Sequence, residues 1–533
     1  MGFTATRISY RETNSYSSLV LDYIDKPQSL RDFFSHEGTL DGIRSCIAER
    51  SRFTMNRRLL ADRMIAQYAE MELPEKAKTN LALLCQDNCF TVTTAHQNNI
   101  FSGPLYFVYK ILHAIALAAE LKTKIPECEF VPVFYMGSED ADLAELDHVY
   151  IETEKYQWKT AQTGAVGRMK VDEGIKDLID RIEGQLGVFS HGAEWIQLLR
   201  SCYTQGRTIA AATFRLVHTL FAEKGLLILM PDDRQLKQAF SGTIKKELLE
   251  QFVAPLVQEQ AVALLGQGYK VQATPRDINL FYLQEGSRQR IEKRGELWSV
   301  KGSSVTFTAE QLLTELAQYP ERFSPNVLLR GLYQCSILPD VAFIGGGAEI
   351  SYWLQQKKLF ASAAVPMPVL VLRNSFLLTD TRVATKLASW GMETTMLFAS
   401  IDQLMEQLAG EEGNIVRDIT KEKAALQELY ALLQQRAGQL DPTLRAHVAS
   451  LEKKSLKGLE GLEKKFWKLI KRNHAVQLNQ LLQIKEQLFP QGVLQERHQH
   501  LGYFYARFGK EFLDHILSHS QGLEQKFTVL QLP

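Results

Sequence analysis

The sequence predicts an α/β fold of the doubly wound class, followed by an α-helical coiled coil. As far as Asp402, short apolar runs of the kind that form buried strands recur along the chain, with helical patterns between them. After Asp402 the composition changes to Leu, Gln, Lys and Glu, and apolar residues recur at helical spacing. Strands that alternate with helices indicate a parallel sheet covered on both faces.

The first βαβ unit is predicted from Asp87 to about Ile151. It reads as a strand that begins near Asn88, a helix that begins near Pro104, the strand "EFVPVFYMG" and an acidic turn. Further strands are predicted at "GLLILMP", "VAFIGGG" and "PVLVLR". Much of the region from Glu152 to Pro320 is predicted to be an insertion, with a β-hairpin whose turn is Gln284 to Ser287.

The chain is therefore divided into five parts. Residues 1–151 hold an N-terminal segment and the first half of the core, 152–320 the insertion region with some core strands, and 321–402 the second half of the core. Residues 403–490 form an antiparallel coiled coil, and 491–533 a C-terminal segment that packs back on the core.

Composition excludes several classes of partner. The chain has 533 residues and equal numbers of basic and acidic side chains, 61 of each, so its net charge does not favour nucleic acid or an anionic membrane. No apolar run reaches the roughly 18 residues of a membrane span. The six cysteines form no CxxC pair and the start has no signal-peptide pattern, which predicts a cytoplasmic protein with reduced thiols.

Two helices are predicted in the C-terminal part, with "GQLDPT" as the turn between them. Gly438 and Pro442 are expected to break a continuous rod, so the helices should form a hairpin. The second helix also carries a basic run, interpreted as solvated coiled-coil faces rather than a polyanion groove. The first helix is marked by Ile415, Ile419, Leu426, Leu429 and Leu433, the second by Leu444, Val448, Leu451, Leu459, Leu462, Phe466, Leu469 and Val476, and the basic run is Lys453, Lys454, Lys457, Lys464, Lys465, Lys468, Lys471 and Arg472.

The residues from Thr94 to Gly103 suit neither a strand nor a helix, and are predicted to form a ligand-binding loop. If a helix begins near Pro104, its first N–H groups face this loop, where α/β proteins bind anions. Thr93 and His96 have the T-x-x-H spacing of nucleotidyl-transferring enzymes, in which an imidazole can donate to phosphate oxygens. The alternative is that His96 and Gln97 only satisfy backbone groups of the loop.

An acidic cluster follows the second strand. Carboxylates this dense repel one another, so a Mg²⁺ ion or a substrate ammonium would relieve the repulsion. The alternative is a helix N-terminus capped by Ser138, whose dipole the acids complement. The cluster contains Glu139, Asp140, Asp142, Glu145 and Asp147, with His148 beside them as the nearest general-base candidate.

A third pattern is a strand that ends in Gly345, Gly346 and Gly347, with a helix starting near Glu349. Such a turn lets a ligand approach the backbone closely. The next strand ends in Arg373 and Asn374, a basic end that suits a carboxylate or phosphate and argues against dehydrogenases and methyltransferases.

Arg330 lies in the helix that precedes this glycine strand. Ser324 is predicted to cap that helix, and Pro325 to be its first residue. The arginine is a candidate ligand contact, with a buried structural ion pair as the alternative.

Taken together, the chain resembles the bacillithiol biosynthesis cysteine-adding enzyme family. The resemblance rests on blocks in family order over nearly the whole chain, among them "HQNNIFSGPLYFVYK", "FVPVFYMGSEDADLAELDHVYI", "PRDINLFYL", "SPNVLLRGLYQCSILPDVAFIGGGAEISYWLQ", "MPVLVLRNSF" and "LQERHQHLGYFYARFG". It departs from the commonest family pattern at Ala95-His96-Gln97, where many members have Gly-Gln-Gln, and at Gly345 to Glu349, where many have Gly-Gly-Pro-Gly-Glu.

The resemblance implies a Rossmann-like core with connecting-peptide insertions and a coiled-coil domain that forms a homodimer. The implied reaction adds L-cysteine to glucosaminyl-malate and yields bacillithiol, for which ATP with Mg²⁺ is the expected means of activating the carboxylate. His96, Glu139, Asp142 and His148 are the candidate catalytic residues. The candidate binding residues are Thr93, Gln97, Gly103, Asp140, Arg330, Gly345, Gly346, Gly347, Glu349, Arg373 and Asn374. The alternative function is a catalytically silent nucleotide-binding or scaffold protein, dimerised through its coiled coil.

Overall fold

The computed structural model describes residues 3–410 and 419–533, so the predicted helix marker Ile415 lies outside the described residues. The strands are β1 (Thr4–Ile8), β2 (Cys89–Gln97), β3 (Glu129–Gly137), β4 (His148–Ile151), β5 (Glu154–Gln157), β6 (Leu227–Leu229), β7 (Leu280–Gln284), β8 (Ser287–Arg294), β9 (Leu297–Val300), β10 (Thr306–Phe307), β11 (Phe323–Pro325), β12 (Asp340–Gly345), β13 (Val369–Leu372), β14 (Phe376–Asp380) and β15 (Phe527–Leu532).

The α-helices of the described residues alternate with these strands and then dominate the C-terminal part. They are α1 (Ser18–Asp25), α2 (Leu40–Arg50), α3 (Arg57–Gln67), α4 (Glu75–Leu83), α5 (Leu105–Lys124), α6 (Leu143–Leu146), α7 (Glu173–Leu186), α8 (Gly192–Cys202), α9 (Ile209–Phe221), α10 (Arg234–Ala239), α11 (Ser241–Glu250), α12 (Val253–Gly266), α13 (Ala309–Gln318), α14 (Val327–Ile337), α15 (Gly347–Trp353), α16 (Lys357–Ser362), α17 (Thr381–Ala388), α18 (Ile401–Ala409), α19 (Ile419–Leu440), α20 (Pro442–Asn473), α21 (Ala475–Leu488), α22 (Leu501–Phe508) and α23 (Glu511–His519).

The core is a five-stranded parallel sheet in the order β13-β12-β2-β3-β6, which confirms the predicted Rossmann-like class. The chain proceeds outward from β2 through β3 to β6, and then returns to β12 and β13 on the other side. Strand order therefore reverses between β2 and β12, and a crevice opens at the carboxyl ends of these two strands.

Continuous apolar runs explain why the sheet lies at the centre of the molecule. Seven of the nine residues of β2 are buried, as are all six of β12, which is expected of parallel strands covered on both faces. Helix α5 packs against β2 and β3 and is itself largely buried. Its buried face includes two polar residues, Lys110 and His113, whose partners are described below.

Besides the two-stranded sheet β4-β5, two larger sheets accompany the core in the described residues. The insertion contains an antiparallel sheet in the order β10-β9-β8-β7-β11, and the predicted hairpin turn is confirmed because Gln284 pairs with Ser287. Gly286 adopts a φ of 65° in that turn, a conformation that glycine accommodates without strain. In the third sheet, β15 pairs with β1 and β14, so the C-terminus joins the N-terminus.

The C-terminal hairpin is confirmed, with a different position for its breaks. Helices α19 and α20 lie side by side, and polar pairs such as Lys423–Glu463 (2.5 Å) and Tyr430–Ser455 (2.8 Å) connect them. Gly438 lies inside α19, and the turn is at Asp441, whose side chain caps α20. The predicted second helix is divided at His474, after which α21 contacts α18 and β14 of the core.

Four local assignments were wrong in the sequence-based interpretation. Strand β2 continues to Gln97 because it pairs with β3 along its whole length, so the loop before α5 is shorter than expected. Ser324 and Pro325 belong to β11, and Asn326 caps α14 by accepting from two backbone N–H groups. The glycine-turn helix begins at Gly347, and Ser138 caps no helix because α6 starts only at Leu143.

In the described ranges, 3–410 and 419–533, no helix is both long and apolar enough to cross a lipid bilayer.

Candidate functional site

A cavity of about 530 Å³ lies at the carboxyl ends of β2 and β12, where the strand order reverses. Its base is formed by the core, and its outer wall by the insertion sheet. Nine of the residues predicted from sequence line it: His96, Gln97, Glu139, Asp140, Arg330, Gly346, Gly347, Glu349 and Arg373. The His96 strand and the glycine turn thus share one site, as α/β sheets of this order predict.

Six other candidates do not line the cavity, and their placement was wrong: Thr93, Gly103, Asp142, His148, Gly345 and Asn374. Thr93 points into the sheet, where its hydroxyl donates to the buried Asp340 carboxylate. Asn374 is buried, and its side-chain oxygen accepts from the Gln521 backbone N–H at 2.9 Å. Both side chains are held inside the fold and cannot reach a ligand in the cavity.

The two glycines shape the backbone instead of binding a ligand. Gly103 has a φ of 63°, and an added Cβ would lie 2.6 Å from the Asn99 Cβ, so only glycine fits before α5. Gly345 is the last residue of β12, and its carbonyl accepts from the Arg373 N–H at 2.8 Å. Both positions keep the loops in place around the cavity.

Asp142 and His148 lie outside the cavity for a local reason. His148 is the first residue of β4, and its Nδ1 lies 2.9 Å from the Asp147 carboxylate. Asp142 is exposed at the start of the short helix α6. The acidic residues do not form the helical face that the sequence suggested, and His148 does not line the cavity.

The two carboxylates of the acidic cluster that line the cavity, Glu139 and Asp140, have partners within the protein. Glu139 pairs with the fully buried Lys237, although burial still holds the pKa of the Glu139 carboxyl above its usual range. Asp140 accepts from the Gln97 amide at 2.8 Å and faces Arg288 at 3.9 Å. In the part of the chain that the structure describes, no group of His, Cys, Asp and Glu side chains is placed to hold a metal ion. The cluster therefore does not fit a protein-bound Mg²⁺.

His96 lies at the end of β2, against the rings of Tyr106 and Phe107. Burial is the main reason why its pKa is well below the usual range, and the cations Lys110, Arg373 and Arg330 lower it further. The imidazole is therefore neutral at physiological pH. Its Nε2 is buried and has no hydrogen-bond partner among the described residues, so this atom is available to a ligand.

The glycine turn is held by an ion pair between the buried Lys110 and the partly exposed Glu349. Glu349 accepts from the Gly346 N–H at 2.8 Å and pairs with Lys110, which also donates to the Ala95 carbonyl at 2.9 Å. Lys110 thereby connects α5, the end of β2 and the start of α15. The pKa of Lys110 is lowered, chiefly by burial. The turn and the His96 strand are thus fixed relative to each other.

Two arginines extend this base of the cavity. Arg373 pairs with the buried Glu496 at 2.6 Å, and its Nε, next to the glycine turn, has no partner among the described residues. Arg330 donates to the Tyr352 hydroxyl at 2.7 Å and to the Gln334 side-chain oxygen at 3.3 Å, so its observed partners within the described residues are uncharged. Each offers a donor to an anion in the cavity.

The first N–H group of α5 does not face a ligand, in contrast to the sequence-based expectation. The N–H of Leu105, the first residue of α5, donates to the Gln499 carbonyl at 2.8 Å. Gln499 comes from the C-terminal segment, so no sequence neighbour could have revealed it. At this first N–H the protein itself supplies the acceptor.

Sequence reasoning missed most of the cationic wall. The missed side chains are Lys110, Arg276, Arg288, Arg290 and Arg497. Two signals were available: a lysine inside the otherwise apolar pattern of α5, and the alternation of Arg288 and Arg290, which places both on one face of β8. Together with Arg330 and Arg373, seven cations face three carboxylates, those of Glu139, Asp140 and Glu349. This excess of cations favours an anionic ligand.

Comparisons with known proteins agree along the whole chain. The domain family described as bacillithiol biosynthesis BshC, N-terminal Rossmann-like domain, matches residues 3–374, and the BshC C-terminal coiled-coil domain matches 376–532. A protein of Flavobacterium johnsoniae named as a cysteine ligase, BshC, is 36% identical over 98% of this chain and 99% of its own length. Proteins of the same name from Cytophaga hutchinsonii and Bacillus cereus are 36% and 24% identical, over 93% and 96% of this chain and 93% and 98% of theirs.

Proposed function

Because the chain belongs to the BshC family of bacillithiol biosynthesis and is a ligase, we propose that it joins the carboxylate of L-cysteine to the amine of glucosaminyl-malate, forming bacillithiol. A carboxylate and an amine do not condense in water to a useful extent, so the carboxylate has to be activated. ATP is the proposed activating substrate. The observation that supports it is the excess of cationic side chains in the cavity at the reversal of strand order.

In this proposal the cysteine carboxylate attacks the α-phosphorus of ATP, and pyrophosphate leaves. The amine of glucosaminyl-malate then attacks the acyl carbon, AMP leaves, and the amine gives up one proton. Mg²⁺ would be held by the phosphates of ATP, since the Glu139 carboxylate already pairs with Lys237 and the Asp140 carboxylate already accepts from the Gln97 amide. The reaction takes place in the cytoplasm, where the six free thiols of the chain stay reduced.

The proposed role of each cavity residue follows from the hydrogen bonds and ion pairs that it makes. Arg330 and Arg373 have donors left for phosphate oxygens, and their charges are already fixed in place, which avoids reorganisation during the reaction. Neutral His96 supplies one hydrogen bond to an oxygen whose charge changes in the transition state. Lys110 and Glu349 position the glycine turn.

The test is to incubate the pure protein with ATP, Mg²⁺, L-cysteine and glucosaminyl-malate and to analyse the products by mass spectrometry. Formation of bacillithiol and AMP would support an adenylate intermediate. Formation of bacillithiol and ADP would indicate an acyl-phosphate intermediate instead. Omission of each substrate in turn is the control. Absence of bacillithiol from the complete mixture would reject the proposed reaction.

A further inference from the structure

The segment Gln495–His500, which leads from the coiled coil to α22, is anchored to the core along its length. Five of its six side chains have a defined partner. Gln495 binds both backbone groups of Leu378 (2.9 and 3.0 Å), Glu496 pairs with Arg373 (2.6 Å), His498 stacks on Tyr150 (centroids 4.0 Å apart), Gln499 binds both backbone groups of Glu152 (3.2 and 3.1 Å), and His500 contacts the Phe101 carbonyl (2.6 Å).

Arg497 is the exception in this segment. Its backbone is fixed by the anchors on both sides and by its own N–H, which donates to the Leu494 carbonyl at 2.9 Å. Its side chain is exposed on the cavity wall, and its guanidinium has no hydrogen bond or ion pair among the described residues. An exposed arginine usually contacts only water. The anchored backbone instead places Arg497 in the wall of a cavity that already contains several cationic side chains.

We propose that Arg497 binds an anionic group of a substrate in the cavity, and that the anchored segment positions it there. The planar guanidinium offers parallel donors that match a phosphate or a carboxylate. This chemistry is shared by the phosphates of ATP and the carboxylates of glucosaminyl-malate, and the proposal rests on the proposed function for these two ligands. Arg497 would then be a binding residue supplied by the C-terminal part of the chain.

The test uses the full-length Arg497→Gln variant and isothermal titration with ATP–Mg²⁺ and, separately, with glucosaminyl-malate. We expect the Kd of one ligand to rise about tenfold, and that ligand identifies the source of the anion. Arg497→Lys keeps the charge but loses the planar fork, so an intermediate Kd is expected. Arg382→Gln is the matched control, because Arg382 has 90% of its side chain exposed and does not line the cavity.

Both Kd values within twofold of the control would overturn the proposal, since Arg497 would then contact neither ligand. Arg497 is exposed, so the variant is expected to fold, and its melting temperature checks this. A wild-type protein that binds either ligand but forms no bacillithiol would reject the reaction and leave the Arg497 comparison valid. A wild-type protein that binds neither ligand would overturn both.

Discussion

His113 and His500 are held in the same way, each between one backbone donor and one backbone acceptor. The Nδ1 of His113 accepts from the Asn374 N–H at 3.0 Å, and its Nε2 lies 2.7 Å from the Gly522 carbonyl. In His500 the corresponding partners are the Gly502 N–H (3.0 Å) and the Phe101 carbonyl (2.6 Å). Each ring is therefore the neutral tautomer with its proton on Nε2, because a second proton would break the bond at Nδ1.

This arrangement predicts a loss of stability at acidic pH. Burial lowers the pKa of both histidines to about 4, below their value in the unfolded chain, so the unfolded state binds more protons between pH 4 and about 6.5. The free energy of unfolding is therefore at its full value above pH 6.5 and decreases as the pH falls. At pH 5 the decrease is roughly 2 kcal/mol per histidine. Urea unfolding at pH 7.5 and at pH 5 measures this decrease in the free energy of unfolding.

His113→Gln should reduce the difference between the two pH values, whereas His447→Gln, at an exposed position of α20, should leave it unchanged. An equal pH dependence in His113→Gln and the wild type would contradict the assignment.

His96→Ala is expected to lower kcat roughly 100-fold with a smaller change in KM, as for a hydrogen bond made mainly in the transition state. Because the pKa of His96 lies well below 6.5, the imidazole is neutral throughout pH 6–8. The variant should therefore lower the height of the pH–rate profile without changing its shape. His148→Ala, outside the cavity, serves as the control and should stay near wild type. Equal turnover in His96→Ala would remove His96 from the mechanism.

At the scale of elements, Lys110 and Glu349 connect helices α5 and α15. Lys110→Met would leave the carboxylate of Glu349 without its cation, which we expect to cost about 3–5 kcal/mol of unfolding free energy. Lys110→Met combined with Glu349→Gln should recover much of that loss, because no unpaired charge remains. The wild type, Lys110→Met, Glu349→Gln and the double variant form a double-mutant cycle, and urea unfolding measures the stability of each. Additive losses would show that the two side chains do not act as a pair.

The elements also show what the sequence could predict. Strands and the β-hairpin followed from local patterns, since continuous apolar runs and a Glu-Gly turn specify them without distant contacts. The composition of the cavity could not be predicted from local patterns, because its walls come from separate parts of the chain. Arg288 reaches Asp140 across the insertion, while His148 is close to the acidic cluster in sequence but belongs to β4, outside the cavity. Residues that are close in sequence were therefore not close in space where one of them belongs to a strand outside the cavity.

At the scale of the whole molecule, the C-terminal part completes the site of the N-terminal core. Glu496 pairs with Arg373, and Arg497 lines the cavity, only a few residues after the coiled coil ends at Leu488. Strand β15 then pairs with β1 at the other end of the chain. Residues on both sides of the coiled coil thus contribute to the cavity of this chain, and the segment after Leu488 links the coiled coil to the site.

The coiled coil leaves apolar side chains exposed, and we propose that a second copy of the chain covers them. Leu444, Leu451, Leu462 and Leu469 lie at spacings that place them on one face of α20, and Leu462 and Leu469 are 41% and 45% exposed. Phe466 packs within the chain near Ile470, so it is a poorer choice for mutation than the sequence suggested. A closed two-fold pair of hairpins is the commonest way to bury such a stripe.

Replacing Leu462 and Leu469 with glutamate would place charge in that stripe, so we expect dissociation to monomers at micromolar concentration with helicity retained. Light scattering measures the mass, and circular dichroism verifies the fold. Asn473→Glu with Asn479→Glu adds the same charge at exposed polar positions of α20 and α21 and should remain dimeric. A monomeric wild type would overturn the proposed dimer, because the stripe would then be tolerated in water. A folded leucine variant that stays dimeric would place the contact elsewhere on the molecule.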